Sequence, residues 1–266
     1  EDGIRDVERS RGLGDVYKRQ IQGGGLILGL FGVSGIGMTH LIFPGLHCYA
    51  CPLAVTVCPI GLMQNLVIFG TPPYFLLGTI LAYGLIAGRG FCGWFCPFGL
   101  LNDLLSFRKA RISRSFSYTK FAVLIGTILA AWYFADTMFC KVCPVGGLEA
   151  SLPYFFLGVA RFNRPFLIHL GTLVGVLIGM IVIARFWCRY LCPMGAILSL
   201  FNRVSFLHLR LDPNKCSKCG ICSAACPMGL KPYEDYDDHN CIKCGACVEA
   251  CDLGALTLHY SPRRKV

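Results

Sequence analysis

The sequence predicts an α-helical membrane bundle of four transmembrane helices in two repeated halves, followed by a small C-terminal α+β domain built on cysteines. Three observations carry that expectation. Of 266 residues, 55% are hydrophobic and only 15% charged, whereas about 25% charged is usual for a soluble domain. From Ile21 to Gly88 there is no Asp, Glu, Lys or Arg. Of 17 cysteines, eight fall in two matching runs after Lys215.

Residues 1–20 carry five basic and five acidic residues and then the composition changes abruptly. They lack the apolar run of a signal peptide. They are expected to be a non-native leader, the alternative being a short cytoplasmic tail. A bilayer span takes roughly 20 apolar residues, so the uncharged stretch holds two spans and the loop between them. The expected spans are Gly24 to Pro44, Pro72 to Gly88, Lys120 to Phe139 and Phe166 to Ala184. The first repeat is expected over 21–115 and the second over 116–210. The cysteine-rich domain then runs over 211–258, with a basic tail at 259–266.

Basic residues orient the spans. Arg89, Arg108, Lys109, Arg111, Arg114 and Lys120 face one acid, Asp103, between the second and third spans. Arg185, Arg189, Arg203, Arg210 and Lys215 follow the fourth. Both segments lie on one side, which is assigned to the cytoplasm, with Arg161 and Arg164 as outnumbered counter-evidence. The net charge of +10 is thereby explained without a nucleic-acid partner.

The two C-terminal runs are Cys216-x-x-Cys219-x-x-Cys222-x-x-x-Cys226-Pro227 and Cys241-x-x-Cys244-x-x-Cys247-x-x-x-Cys251. This spacing holds two [4Fe–4S] clusters in bacterial-type ferredoxins, where the fourth cysteine of each run ligates the other cluster. Cys216, Cys219, Cys222 and Cys251 are assigned to one cluster, and Cys241, Cys244, Cys247 and Cys226 to the other. Gly220 and Gly245 follow the second cysteine of each run and let the backbone wrap closely. Structural zinc would need only four ligands, which leaves the third and fourth cysteines of both runs unexplained.

The membrane region repeats itself. Cys48-Tyr49-Ala50-Cys51-Pro52 parallels Cys140-Lys141-Val142-Cys143-Pro144, and Cys92-x-x-x-Cys96-Pro97 parallels Cys188-x-x-x-Cys192-Pro193. Two spans per unit make a parallel repeat, and functional sites tend to lie between such halves. In each inner motif a four-residue step puts both sulfurs on one helical face, and proline suits the start of the next helix. Amphipathic helices are expected over Phe98–Phe107 and Met194–Phe201. Arg89, Arg185 and Arg189 lie nearby and could lower thiol pKa values. If the halves meet, four sulfurs converge and suit a metal, a third cluster or a dithiol relay. The alternative is that they are small packing residues.

Outside the membrane, Cys48–Cys51 and Cys140–Cys143 are candidate redox pairs or disulfides, and Cys58 has no partner by symmetry. His40 and His169, near outer span ends, are candidates for quinol proton exchange or haem ligation, or for snorkelling towards headgroups. Asp136 and Glu149 are candidate proton acceptors on the same side. The acidic stretch Glu234, Asp235, Asp237 and Asp238 either guides a basic redox partner or is a solvated loop.

Four spans, paired C-x-x-x-C-P motifs after the second and fourth, and the C-terminal two-cluster domain resemble the NapH/MauN family of ferredoxin-type membrane proteins. The membrane core also resembles the C-terminal part of the NosR regulators. The resemblance covers residues 22–258 or so. It implies a quinol-linked electron-transfer role in a bacterial or archaeal inner membrane, beside ferredoxin-type or periplasmic reductase partners. Two other readings stand beside it: a metal-handling or cofactor-maturation factor binding copper through the C-x-x-x-C-P sulfurs, and a redox sensor.

Overall fold

The computed structural model describes residues 16–24, 27, 58–105, 114–158, 164–236 and 238–261. Nearly all of the expected first span, with His40, lies outside them, as do Cys48, Cys51 and Asp237. Helix α1, over 16–24, runs through the expected leader boundary at residue 20. Its Lys18 and Gln22 are buried: Lys18 Nζ donates to Asp103 at 2.8 Å, and Gln22 Nε2 donates to the Gly93 carbonyl at 2.8 Å.

Cysteine–proline pairs set the starts of the next helices. Cys58 is extended (φ −82°, ψ 115°) and Pro59 opens α2, Pro59–Phe69. Proline pushes the residue before it out of helical geometry while its own fixed φ suits a first helical turn. Helix α2 ends on Gly70 in the left-handed region (φ 63°), which a residue without Cβ adopts at no steric cost. Then come α3 (Tyr74–Ala87), the short α4 (Gly90–Trp94) and α5 (Pro97–Leu105). A 3₁₀ turn, Arg114–Tyr118, leads into α6, Thr119–Phe134. The expected third span ran to Phe139, but the helix stops at Ala135, which is left-handed (φ 48°).

Helix α7 is Met138–Val142. Cys143 repeats the extended geometry of Cys58 (φ −73°, ψ 120°) before Pro144. A helical stretch follows to Phe156, passing through a π segment at Gly147–Ser151. Helix α8 is Arg164–Val182. A second π segment, Trp187–Leu191, leads to an extended Cys192 and to α9, Pro193–Phe201.

Helix α6 packs on α2 and α9, and α8 packs on the Pro144–Ser151 stretch. One helix among the described residues, Phe116–Phe134, is long and apolar enough to cross a membrane, with only 22% of its apolar window buried. Pro59–Phe69, Tyr74–Ala87 and Phe166–Val182 are apolar but shorter. Large apolar side chains stand exposed along three helices: Phe75, Leu77 and Leu81 on α3, Ile125, Leu129 and Trp132 on α6, and Val174, Ile178 and Ile181 on α8. The interior is centred on Trp187, edge-on to Phe98 (centroids 6.2 Å apart) and stacked on Phe139 (6.4 Å).

The C-terminal unit is closed by a two-stranded antiparallel sheet. Strand β1, Leu207–Leu211, pairs with β2, Leu256–Tyr260, from Leu207↔Tyr260 to Leu211↔Leu256. The sheet therefore takes in residues on both sides of the expected 211–258 limits. Both cysteine runs lie between the strands, with α10 (Ile221–Ala225) and α11 (Ala246–Glu249) each starting after a left-handed glycine, Gly220 (φ 79°) and Gly245 (φ 84°).

Candidate functional site

Among the described residues, three cavities are each lined by four cysteines. One is lined by Cys216, Cys219, Cys222 and Cys251. Another is lined by Cys226, Cys241, Cys244 and Cys247. These are the two crossed sets that the spacing predicts. The chain enters each by the same strained turn, since Lys218 (φ 55°) and Lys243 (φ 50°) are both left-handed immediately before the second cysteine of their run. A non-glycine residue held there costs roughly 1–2 kcal/mol, and the turn swings the following backbone around the cavity. The donor set, four thiols per cavity, suits an iron–sulfur cluster.

The third cavity is lined by Cys92, Cys96, Cys188 and Cys192 with Arg89, Phe98, Trp187, Met194 and Gly195. The two C-x-x-x-C-P motifs thus meet. Their arrangement is reciprocal. Arg89 Nη2 donates to the Cys188 carbonyl at 2.8 Å, and Arg185 Nη1 donates to the Cys92 carbonyl at 3.2 Å. Gly99 lets its helix sit against Cys92 O and Arg185, and Gly195 does the same against Cys188 O and Arg89.

Sequence reasoning placed Arg89, Arg185 and Arg189 near these thiols as a means of lowering their pKa. Burial overrides that. Desolvation pushes Cys96, Cys188 and Cys192 up, even though Arg185 and Arg89 pull Cys188 down. Burial likewise raises Cys241 to about 12 and raises Cys226 and Cys247. Such thiols stay protonated until a metal group displaces the proton.

Arg185 and Arg89 are both 0% exposed, but their partners differ. Arg185 forms a two-point ion pair with Asp103, at 2.7 and 2.5 Å, and Asp103 also binds Lys18. Burial works against the Asp103 carboxylate, yet the two cations together hold its pKa below the ordinary value. The stability it contributes is present above the unfolded carboxylate range, about pH 4, and is lost as pH falls through the lower folded value. An acid titration of unfolding should show this loss, and Asp103→Asn should remove it.

The C-terminal unit is locked to the helical core by neutral side chains that sequence reasoning missed. Asn240 Oδ1 accepts from Lys120 Nζ (2.6 Å), Ser117 Oγ (2.8 Å) and Arg89 Nη1 (3.3 Å). Asn202 Nδ2 donates to the carbonyls of Asp238 and Cys241, both at 2.9 Å. Trp94 Nε1 donates to Lys243 O at 3.0 Å, and Lys243 Nζ reaches back to Ser205 Oγ and to the Asn202 carbonyl. Gly93 makes the closest approach: a Cβ there would overlap the Ile242 carbonyl oxygen and lie 3.5 Å from Cα and Cβ of Cys244. One apolar cluster contains Cys92, Cys96, Cys188, Cys192 and Ile242, with Cys226, Cys241 and Cys244 packed against it. Two of the cysteine-lined cavities are therefore neighbours.

The remaining candidates fare differently. Both ring nitrogens of His169 are taken, Nδ1 by Ser151 Oγ (2.7 Å) and Nε2 by the Cys140 carbonyl (2.8 Å). That geometry opposes haem ligation. Cys140 and Cys143 are not joined by a disulfide, and Gln64 Nε2 lies 3.5 Å from Cys140 Sγ. Cys58 shares the Cys–Pro helix start and the core of Cys143, so it has a structural counterpart that the repeat alignment missed. Asp136 is ion-paired with Lys141, and Glu149 is buried in the π segment. The acidic stretch is not one uniform patch. Glu234 pairs with Lys231 at 3.0 Å, while Asp238 is buried and caps the Asn240 backbone at 2.7 Å.

A family model described as a 4Fe-4S binding domain matches half of the chain, over residues 69–115, 119–158 and 166–212. Its first and last segments each contain one C-x-x-x-C-P motif at a corresponding place, as a duplicated unit requires. A 4Fe-4S dicluster domain model matches residues 208–252. Among curated proteins, an uncharacterized protein of Methanocaldococcus jannaschii is 29% identical over 79% of this chain and 89% of its own length. The methylamine utilization ferredoxin-type protein MauN of Methylorubrum extorquens is 30% identical over 57% of this chain and 53% of its own. The ferredoxin-type protein NapH of Haemophilus influenzae is 25% identical over 56% of this chain and 50% of its own. The chain thus spans about half the length of these two named relatives. No solved structure matches it.

Proposed function

The chain belongs to the ferredoxin-type family of 4Fe-4S proteins, and on that footing we propose that it relays single electrons between a membrane quinol pool and a redox partner. Cys216, Cys219, Cys222 and Cys251 hold one [4Fe–4S] cluster, and Cys226, Cys241, Cys244 and Cys247 hold the other. The clusters, when bound, supply one-electron chemistry. The protein keeps them at a fixed place on the helical core and shields one of them with apolar packing.

The single observation that carries this reading is the docking. The Cys226/Cys241/Cys244/Cys247 cavity lies against the helical core through Gly93, Trp94, Asn202 and Asn240. A soluble carrier with a separate anchor has no need of such an interface. The exposed apolar faces of α3, α6 and α8 support the three expected spans that fall within the described residues, because they suit a lipid solvent and not water. With the exposed basic residues Arg203, Arg210 and Lys215 on the cytoplasmic side, the ferredoxin unit stands in the cytoplasm.

Anaerobic proteoliposomes containing the full chain should show bleaching of the cluster absorbance when a reduced benzoquinol or naphthoquinol is added. Clusters that are reduced by dithionite but by neither quinol class would remove the quinol step and leave the cluster assignment standing.

A further inference from the structure

We propose that Cys92, Cys96, Cys188 and Cys192 hold a third iron–sulfur cluster at the meeting point of the two repeated halves. The proposal rests on the family membership above for iron–sulfur chemistry in this chain, and on independent geometry for the site.

First, all four cysteines are buried and line one cavity, although they come from motifs about 90 residues apart in sequence. The reciprocal arginine bonds to Cys188 O and Cys92 O, and the paired close approaches at Gly99 and Gly195, hold the two motifs in matching positions. A pair of packing cysteines needs no such symmetry.

Second, the sulfurs already receive donors. The Gly195 backbone N–H donates to Cys192 Sγ at 3.3 Å, and Asn102 Nδ2 lies 3.7 Å from Cys188 Sγ. Hydrogen bonds to cluster sulfurs are a main means by which proteins hold and tune such groups.

Third, the charge is unbalanced in favour of an anion. Arg89 is 0% exposed and lines this cavity, yet among the described residues its side-chain bonds go to neutral groups, the Cys188 carbonyl and Asn240, and its Nε has no hydrogen-bond partner. A buried guanidinium without a counter-ion is costly. Four thiolates exceed the positive charge of an iron–sulfur core, so the filled site is a net anion against Arg89. A disulfide or four neutral thiols would leave Arg89 unmatched.

Among the described residues, no three His, Cys, Asp or Glu side chains gather closely enough to hold a single metal ion. The same is true of the two ferredoxin sets, whose cysteines ring cavities in the same way.

The test is iron, acid-labile sulfide and Mössbauer analysis of the full chain purified anaerobically, beside the Cys92→Ser/Cys188→Ser double variant. The wild type should carry two to four irons more than the roughly eight of two [4Fe–4S] clusters. The variant should lose that excess and keep the two ferredoxin signals. Nuclearity follows from the Mössbauer spectrum, since a [2Fe–2S] and a [4Fe–4S] centre both support the site. A wild type with only about eight irons, or with zinc or copper in stoichiometric amount at these cysteines, overturns it, whether or not the variant folds. Absence of all iron would instead overturn the family-based function, so the two failures are distinguishable.

Discussion

Replacing Asp103 by Asn is expected to destabilise the protein by about 3–5 kcal/mol, the usual cost of removing one partner from a buried ion pair. Arg185 is wholly buried, and Asp103 supplies both of its carboxylate contacts. The variant keeps the shape of the side chain, removes the charge and turns one of the two accepting oxygens into a donor. The loss has a second effect, because Arg185 also donates to the Cys92 carbonyl. Disturbing it should loosen the four-cysteine cavity along with the fold. Unfolding of the detergent-solubilised protein, followed by helical circular dichroism, measures the first effect. A wild-type midpoint in Asp103→Asn would mean that Arg185 finds its counter-charge elsewhere. The pair is partly shared with Lys18, so Lys18→Met should give a smaller loss of the same kind.

Gly93→Ala is expected to push the ferredoxin unit off the helical core. The new methyl group would meet the Ile242 carbonyl, which belongs to the backbone of the second cysteine run and cannot swing aside as a side chain could. Overpacking of this kind costs about 1–3 kcal/mol, and here the strain falls on the turn that carries Cys244. Quinol-dependent cluster reduction should therefore slow much more than dithionite reduction, which needs no docking. Gly78→Ala is the control: nothing lies within 4 Å of a Cβ there, and alanine is the better helix former. Equal quinol rates in both variants would show that the close contact at Gly93 has no part in the electron path.

The eight ferredoxin cysteines were legible because their spacing is a local consequence of ligand geometry. The sequence places the cysteines, and the fold only has to close the two strands. The C-x-x-x-C-P motifs were legible for a similar reason: proline forces the preceding cysteine into extended geometry, which the structure repeats at Cys58, Cys143, Cys192 and Cys226. What sequence could not give was the docking. Asn202, Asn240 and Gly93 are neutral residues that act across long sequence separations and leave no periodic trace. Arg89 and Arg185 were read as juxtamembrane charges of the positive-inside kind, whereas both are sealed inside. Their effect on the thiols was misjudged for the same reason, since burial raises a thiol's pKa more than a nearby cation lowers it. The short strand Leu207–Leu211 was placed partly in the helical repeat because five alternating residues do not distinguish a strand edge from a helix end.

The relay itself is tested most directly by blocking it at one cluster at a time. Quinol-driven reduction would be followed by low-temperature EPR in proteoliposomes carrying Cys219→Ser or Cys244→Ser. The account predicts that Cys219→Ser still allows quinol to reduce the cluster at Cys226, Cys241, Cys244 and Cys247, which lies against the core. It predicts that Cys244→Ser stops quinol electrons from reaching the outer cluster, even though dithionite still reduces it. Quinol reduction of the outer cluster at the wild-type rate in Cys244→Ser would contradict a path through the docked cavity.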